Sequence, residues 1–137
     1  MLKNNIDPNA QDDNGDTALT IALKNNADIS YIKTLLQNGV DANLSNQQQE
    51  TPLNLAIKNQ HPIAVIELLL NSGANGNIAD SKGNTPLWHY LRYAPTVENL
   101  SGASKGNTAI DYADENGDTP LIFALKNDYS AEIIRFL

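Results

Sequence analysis

The chain has no cysteine, one tryptophan, two histidines and only nine basic residues against sixteen acidic ones. The missing cysteines exclude disulfides and thiolate metal sites, and fit a reducing compartment. The net charge of −7 argues against a phosphate-backbone ligand, so no nucleic-acid partner is expected. No apolar run approaches the ~20 residues needed to cross a bilayer, and membrane insertion is not expected. Met1-Leu2-Lys3-Asn4-Asn5 leads straight into a polar turn, so no signal peptide is expected. No glycine-rich phosphate loop and no zinc-ligand spacing is present. Asp12-Asp13-Asn14-Gly15-Asp16 has the look of a calcium loop, but Leu23 holds the place of its bidentate glutamate. No cofactor, no metal and no small-molecule substrate are therefore expected.

What the chain has is repetition. Threonine recurs every 34 residues, at Thr17, Thr51, Thr85 and Thr119, opening Thr17-Ala18-Leu19, Thr51-Pro52-Leu53, Thr85-Pro86-Leu87 and Thr119-Pro120-Leu121. Gly15, Gly83 and Gly117 stand two residues before a threonine, with Gln49 in the second copy. Ala22, Ala56 and Ala124 follow it, with Tyr90 in the third copy, and then a basic residue at Lys24, Lys58, Arg92 and Lys126. A second apolar block carries Ile32, Ile66, Leu100 and Ile134, and Gly39 and Gly73 close two of the blocks. A period of this length marks a solenoid of stacked units.

The physics of one unit follows from its residues. Threonine is a good helix N-cap, and Pro52, Pro86 and Pro120 fall at the first helical position, where a missing N–H costs nothing. A short helix is expected to the Lys-Asn pairs, and a second from near Ile29, Ile63 and Val97, with apolar residues at three- and four-residue spacing. Glycine stops the second helix, and stretches such as Asp12-Asp13-Asn14-Gly15 read as tight turns. This turn-helix-helix unit resembles the ankyrin repeat, on the Thr-Pro-Leu phrases, Asp12-x-x-Gly15-x-Thr17, Asp7-Pro8-Asn9-Ala10 and Leu68-Leu69-Leu70-x-x-Gly73-Ala74. The resemblance implies an all-α, ankyrin-type solenoid of stacked helix pairs with β-turn fingers. It would form one domain over 1–137, with repeats at about 10–43, 44–77, 78–111 and 112–137, the last incomplete. The period is 34 where the family has 33. The family's signature histidine, which helps tie neighbouring turns, is replaced by Thr20, Asn54, Trp88 and Ile122.

Leu2 aligns with Leu36 and Leu70, Leu137 with Leu35 and Leu69, and Ile133, Ile134, Phe136 and Leu137 make an apolar end where a cap would be polar. The expectation is a fragment of a longer repeat array, with Asn5 able to take the left-handed cap of Gly39 and Gly73.

The third repeat is irregular. Its first helix reads Leu87-Trp88-His89-Tyr90-Leu91-Arg92-Tyr93, and its second carries Asn99, Gly102, Ala103 and Ser104 where the others are apolar. Tyr90 is expected to fill the space vacated at Ala103 and Ser104, and 101–108 to be a loop or frayed helix. Trp88, Arg92 and Tyr93 read as an aromatic-plus-arginine anchor. Trp88 is open between core and surface, Tyr90 reads as core, and Tyr93 is the best exposed candidate. His89 aligns with Ile21, Leu55 and Phe123 and reads as packed. His61 precedes Pro62 and reads as a turn residue, so no catalytic triad is expected.

Two charge ladders follow the period. Lys24, Lys58, Arg92 and Lys126 form a basic row, and Asp16, Glu50 and Asp118 an acidic one just before the threonines. The resemblance places both on the concave side, where an acidic lip and a basic floor would select a partner of mixed charge. The same residues equally suit helix-dipole and turn chemistry. The expected function is protein–protein recognition through the concave face and turn tips, without catalysis, at Trp88, Arg92, Tyr93, Lys58, Lys126, Lys24, Glu50, Asp118 and Asp16. The alternative is a structural spacer or regulatory segment of a larger protein, enzymatic or a bacterial effector. The expected location is the cytoplasm, or the host cytoplasm for an effector, a reading suggested by 19 asparagines and an AT-rich codon bias.

Overall fold

Each of the four threonines caps a helix. Thr17, Thr51, Thr85 and Thr119 are extended, and each hydroxyl accepts the backbone N–H three residues on, from Thr20, Asn54, Trp88 and Ile122. The computed structural model describes residues 7–106, 108 and 110–137. Leu2 and Asn5, named above for the register and cap of the first helix end, lie outside the described residues, as does Asn107.

The described residues form eight helices in order. These are α1 (Ala18–Lys24), α2 (Ile29–Gln37), α3 (Pro52–Lys58), α4 (Ile63–Asn71), α5 (Pro86–Tyr93), α6 (Val97–Ala103), α7 (Pro120–Lys126) and α8 (Ala131–Phe136). Each odd helix packs on the even helix that follows. The odd helices stack as one row and the even helices as another. The chain is an all-α solenoid of four helix pairs. Helix α6 runs to Ala103, so 101–103 is helical and the loop begins only at its cap, Ser104.

Between pairs, the chain forms a turn closed by one side chain. Oδ1 of Asp12, Asn46, Asp80 or Asp114 accepts the backbone N–H groups two and four residues on. The turn needs a left-handed residue, and Gly15, Gly83 and Gly117 supply it at φ near +80°. Gln49 holds the same conformation at φ 63°, against the steric cost of its Cβ.

The buried apolar side chains divide into two clusters. One takes Leu19, Leu23, Ile32, Leu53, Leu55, Ile66 and Leu69 with their neighbours from α1–α4. The other takes Leu87, Trp88, Leu91, Leu100, Ala103 and Ile133 from α5, α6 and α8. Half-buried Tyr90 packs against both. The apolar C-terminal stretch is mostly taken up by this second cluster, with Ile133 buried and Phe136 and Leu137 packed against it. The apolar residues left outward in the last repeat are instead Leu121, Ile122 and Leu125.

Candidate functional site

The fingers and the odd helices form one continuous face, and its residues fall into four equivalent sets. At three of them the two charge rows meet. Lys24 Nζ lies 2.7 Å from Asp16, Lys58 2.8 Å from Glu50 and Lys126 2.8 Å from Asp118. The acidic and basic rows are thus a single row of ion pairs within repeats, which corrects the expected acidic lip over a basic floor. An eight-residue spacing places the acid just before the helix and the base in its last turn, so each lysine reaches back along one helix face.

These pairs differ in burial. Asp16 is 5% exposed. Burial disfavours its charge, yet hydrogen bonds from Lys24, Asn46 and Thr20 outweigh that and hold its carboxyl below the usual range. The same bond raises the Lys24 ammonium above its ordinary value. Hydrogen bonds from Asn46 and Lys58 likewise lower Glu50. Asp16 is therefore out of a partner's direct reach, a correction to its place among the candidate contacts. Lys58 and Lys126 keep exposed heads.

In the third repeat Asn84 stands where the others have an acid. Arg92 turns to it, donating to Asn84 Oδ1 and, at 3.3 Å, to Asp114 in the next finger. Its guanidinium lies 4.8 Å over the Trp88 ring and 5.8 Å from that of Phe123. Trp88 is 1% exposed, donates its indole N–H to the Tyr112 carbonyl at 2.7 Å and meets Phe123 edge-on at 5.3 Å. The expected anchor thus separates. Trp88 is core, which corrects its candidate role as a contact. Arg92 clamps the third repeat to the fourth. Tyr93 alone of the three stands out, 63% exposed.

The ties between repeats were not all visible in the sequence. With no signature histidine, His61 does a related task from another position. Its Nε2 lies 2.8 Å from the Leu23 carbonyl of the preceding repeat, and the ring is buried rather than a free turn residue. One period-pair later, Tyr129 donates its phenol to the Leu91 carbonyl at 2.7 Å. Between them stands Pro95, which can donate to nothing. Proline also withdraws a backbone bond. Ala27, His61 and Tyr129 each return their N–H to Ala22, Ala56 and Ala124, after a left-handed Asn26, Gln60 or Asp128. Ala94, before Pro95, stands at φ −154° and ψ 63°, outside the left-handed conformation of its equivalents. Asparagine supplies a further ladder. Asn9 Oδ1 accepts from Asp41 N–H and its amide reaches the Gly39 carbonyl, and Asn43 repeats this with Asn75 and Gly73. Part of the high asparagine content therefore has a structural use.

The consequence is a difference between junctions. The first and second fingers are joined by Gln47 N–H to the Asn14 carbonyl, Asn46 to Asp16 and Gln11 to the Ser45 carbonyl. The third and fourth are joined through Arg92 and Trp88. Among the described residues, no hydrogen bond links finger 46–50 to finger 80–84. At this junction α6 lies directly on α4. A Cβ on Gly102 would sit 2.5 Å from Ile63 Cγ1 and 2.8 Å from Glu67 Oε1, so glycine is what permits the approach. On the other side α5 carries Tyr90 where its equivalents are alanine and Tyr93 where they are asparagine, with His89 edge-on against Tyr90 at 5.3 Å and tilted on Tyr93 at 5.1 Å. Close approach of the even helices and bulk between the odd ones open a wedge.

That wedge is a cleft of about 900 Å³, walled by Gln48, Gln49 and Glu50 on one side and Asp80, Ser81 and Lys82 on the other, with His89 and Tyr93 at its base. The depression between the first and second fingers holds about 400 Å³. Burial lowers the His89 pKa, favouring its neutral form. Among the described residues no cluster of three histidine, cysteine or acidic side chains could hold a metal ion, and no helix is long and apolar enough to cross a membrane.

The family model for "Ankyrin repeats (3 copies)" matches residues 1–80 and 21–103, and no enzyme family is matched. No curated protein is similar enough in sequence to count as a relative. Capped helix pairs at a 34-residue period, stacked in two rows behind a line of β-turn fingers, agree with that match, and the chain belongs to the ankyrin-repeat family.

Proposed function

We propose that this chain is a protein-recognition module that docks a partner on the face formed by its fingers and odd helices, the concave face of ankyrin repeats. The observation that carries this reading is the cleft between the second and third fingers, with Tyr93 exposed at its base. A large, exposed aromatic on a helix held from behind by Trp88 and Arg92 has the character of an interface anchor. Lys58 and Glu50 border the same cleft. Lys126 and Asp118 continue the face into the fourth repeat, where as an exposed pair they set orientation and on-rate more than affinity.

Recognition of this kind needs no catalytic group. Ankyrin repeats generally bind proteins. The test is affinity capture from lysate with the whole chain and with a folded Tyr93→Ala variant, read by mass spectrometry. A protein captured by the parent and lost with the variant supports the reading. Equal, unspecific recovery by both favours a spacer within a larger protein.

A further inference from the structure

The hydrogen-bonding capacity of the finger face is unevenly spent. Asp16, Lys24, Arg92, Asp114, Asp118 and Lys126 are engaged with one another or with neighbouring amides, and Lys58 with Glu50. The cleft is the reverse. The side-chain amides of Gln48, Gln49, Asn54 and Gln60, the Ser81 hydroxyl, the Lys82 ammonium, the His89 ring nitrogens and the Tyr93 phenol line it, and none makes a hydrogen bond to the described chain. Gln48, Gln49, Gln60, Ser81, Lys82 and Tyr93 are exposed, and half-buried Asn54 and His89 have no sealed, unpaired side-chain atom.

We infer that the cleft between the second and third fingers binds an extended peptide segment of low net charge, with one aromatic or long apolar side chain seated against His89 and Tyr93. This rests on the protein-recognition reading above and narrows it. An extended backbone presents an N–H and a C=O at every residue, and each must be paired when water is displaced. Primary amides carry both donors and acceptors, and four of them line the wall of the second repeat. The tilted ring pair, with Ile57 also lining the cleft, offers an apolar and aromatic surface. The volume falls in the range of sites that enclose short ligands. The cleft's charges, Glu50 and Lys58 on one wall and Asp80 and Lys82 on the other, include one of each sign on each side. They give no net field to select a strongly charged segment.

The test is selection of random linear twelve-residue peptides, displayed on phage, against the whole folded chain, followed by fluorescence polarisation of the enriched peptides. The expected peptides carry little net charge and at least one aromatic or long aliphatic residue. Their affinity should fall tenfold or more with Tyr93→Ala, and by a similar factor with Gln48→Ala/Asn54→Ala, whose side chains make no contact the fold depends on. It should change less than twofold with Lys33→Ala, exposed on α2 away from the fingers, and less than twofold between low and high salt. No enrichment of linear peptides would overturn the inference. So would a strongly acidic or basic consensus with steep salt dependence. Enriched peptides that ignore Tyr93→Ala but are lost with Lys126→Ala would overturn the cleft while leaving protein recognition standing.

Discussion

The first and second junctions of this solenoid are built from the same period yet held differently. At the first, polar ties reach across the fingers, and His61 anchors one helix end on the carbonyl of the repeat before it. At the second, the fingers share no bond among the described residues. The stack is held at the finger base by Asn43 and behind by α4 against α6. One set of substitutions accounts for this: Pro95 for a side chain that can bond, Gly102 for a residue with a Cβ, and Tyr90 for alanine. A repeat protein is stabilised by its nearest-neighbour interfaces. Loosening one side of one interface therefore opens a cleft without dismantling either half.

The largest effect should come from Trp88→Ala, at about 3–5 kcal/mol. It removes a fully buried indole, its bond to Tyr112 and the surface under Arg92. Urea denaturation checks it. A loss near zero would return Trp88 to the surface and dissolve the distinction between anchor and core. Next comes acid. The folded pKa values of Asp16 and Glu50 are lowered, so their ionised forms contribute stability above the unfolded value of about 4. That contribution is lost as pH falls through the lower folded values. Acid unfolding below about pH 4 should thus weaken the first two repeats, and Asp16→Asn should flatten the pH dependence while lowering stability at neutral pH. An unchanged acid limb would contradict the pairing.

The missing tie can be removed where it exists and added where it does not. His61→Ala should cost about 1–3 kcal/mol by depriving the Leu23 carbonyl of its best partner. Ala94→Asn/Pro95→His should restore both the left-handed turn and a ring able to reach back. That should stabilise the chain by about 1 kcal/mol and weaken any ligand of the cleft. A destabilised double variant would show that Pro95 is not what loosens the junction. Lys126→Ala breaks an exposed pair and should cost less than about 1 kcal/mol by thermal melting.

Much of this was legible in the sequence because it is local. Thr85 and Pro86 cap and start a helix by their own chemistry, Gly83 turns left-handed for want of a Cβ, and the apolar spacing of α2 and α4 fixes their buried sides. The starts of α2, α4 and α6 near Ile29, Ile63 and Val97 are legible in the sequence, whereas the end of α6 at Ala103 is not. What stayed hidden depends on a partner far along the chain. His61 looks like a loop residue until the Leu23 carbonyl comes within reach. Arg92 looks like a ladder cation until Asn84 fails to neutralise it and Asp114 does. Gly102 reads as a weak point of α6, and only the nearness of Ile63 and Glu67 shows why a larger residue is not there. The polar equivalents of Trp88, Thr20 and Asn54, left its place open between core and surface. Yet Thr20 is itself buried within its capping box, so polarity there marked a satisfied hydrogen bond and not exposure.

The absence of cysteine makes the central claim directly measurable, since paired cysteines can carry spin labels without background. Asp13, Gln47, Ser81 and Glu115 occupy equivalent exposed places on the four fingers. The account predicts that the Gln47–Ser81 label separation exceeds both Asp13–Gln47 and Ser81–Glu115. Three equal separations would mean that the second junction is closed like its neighbours, and the cleft reading would fall with it.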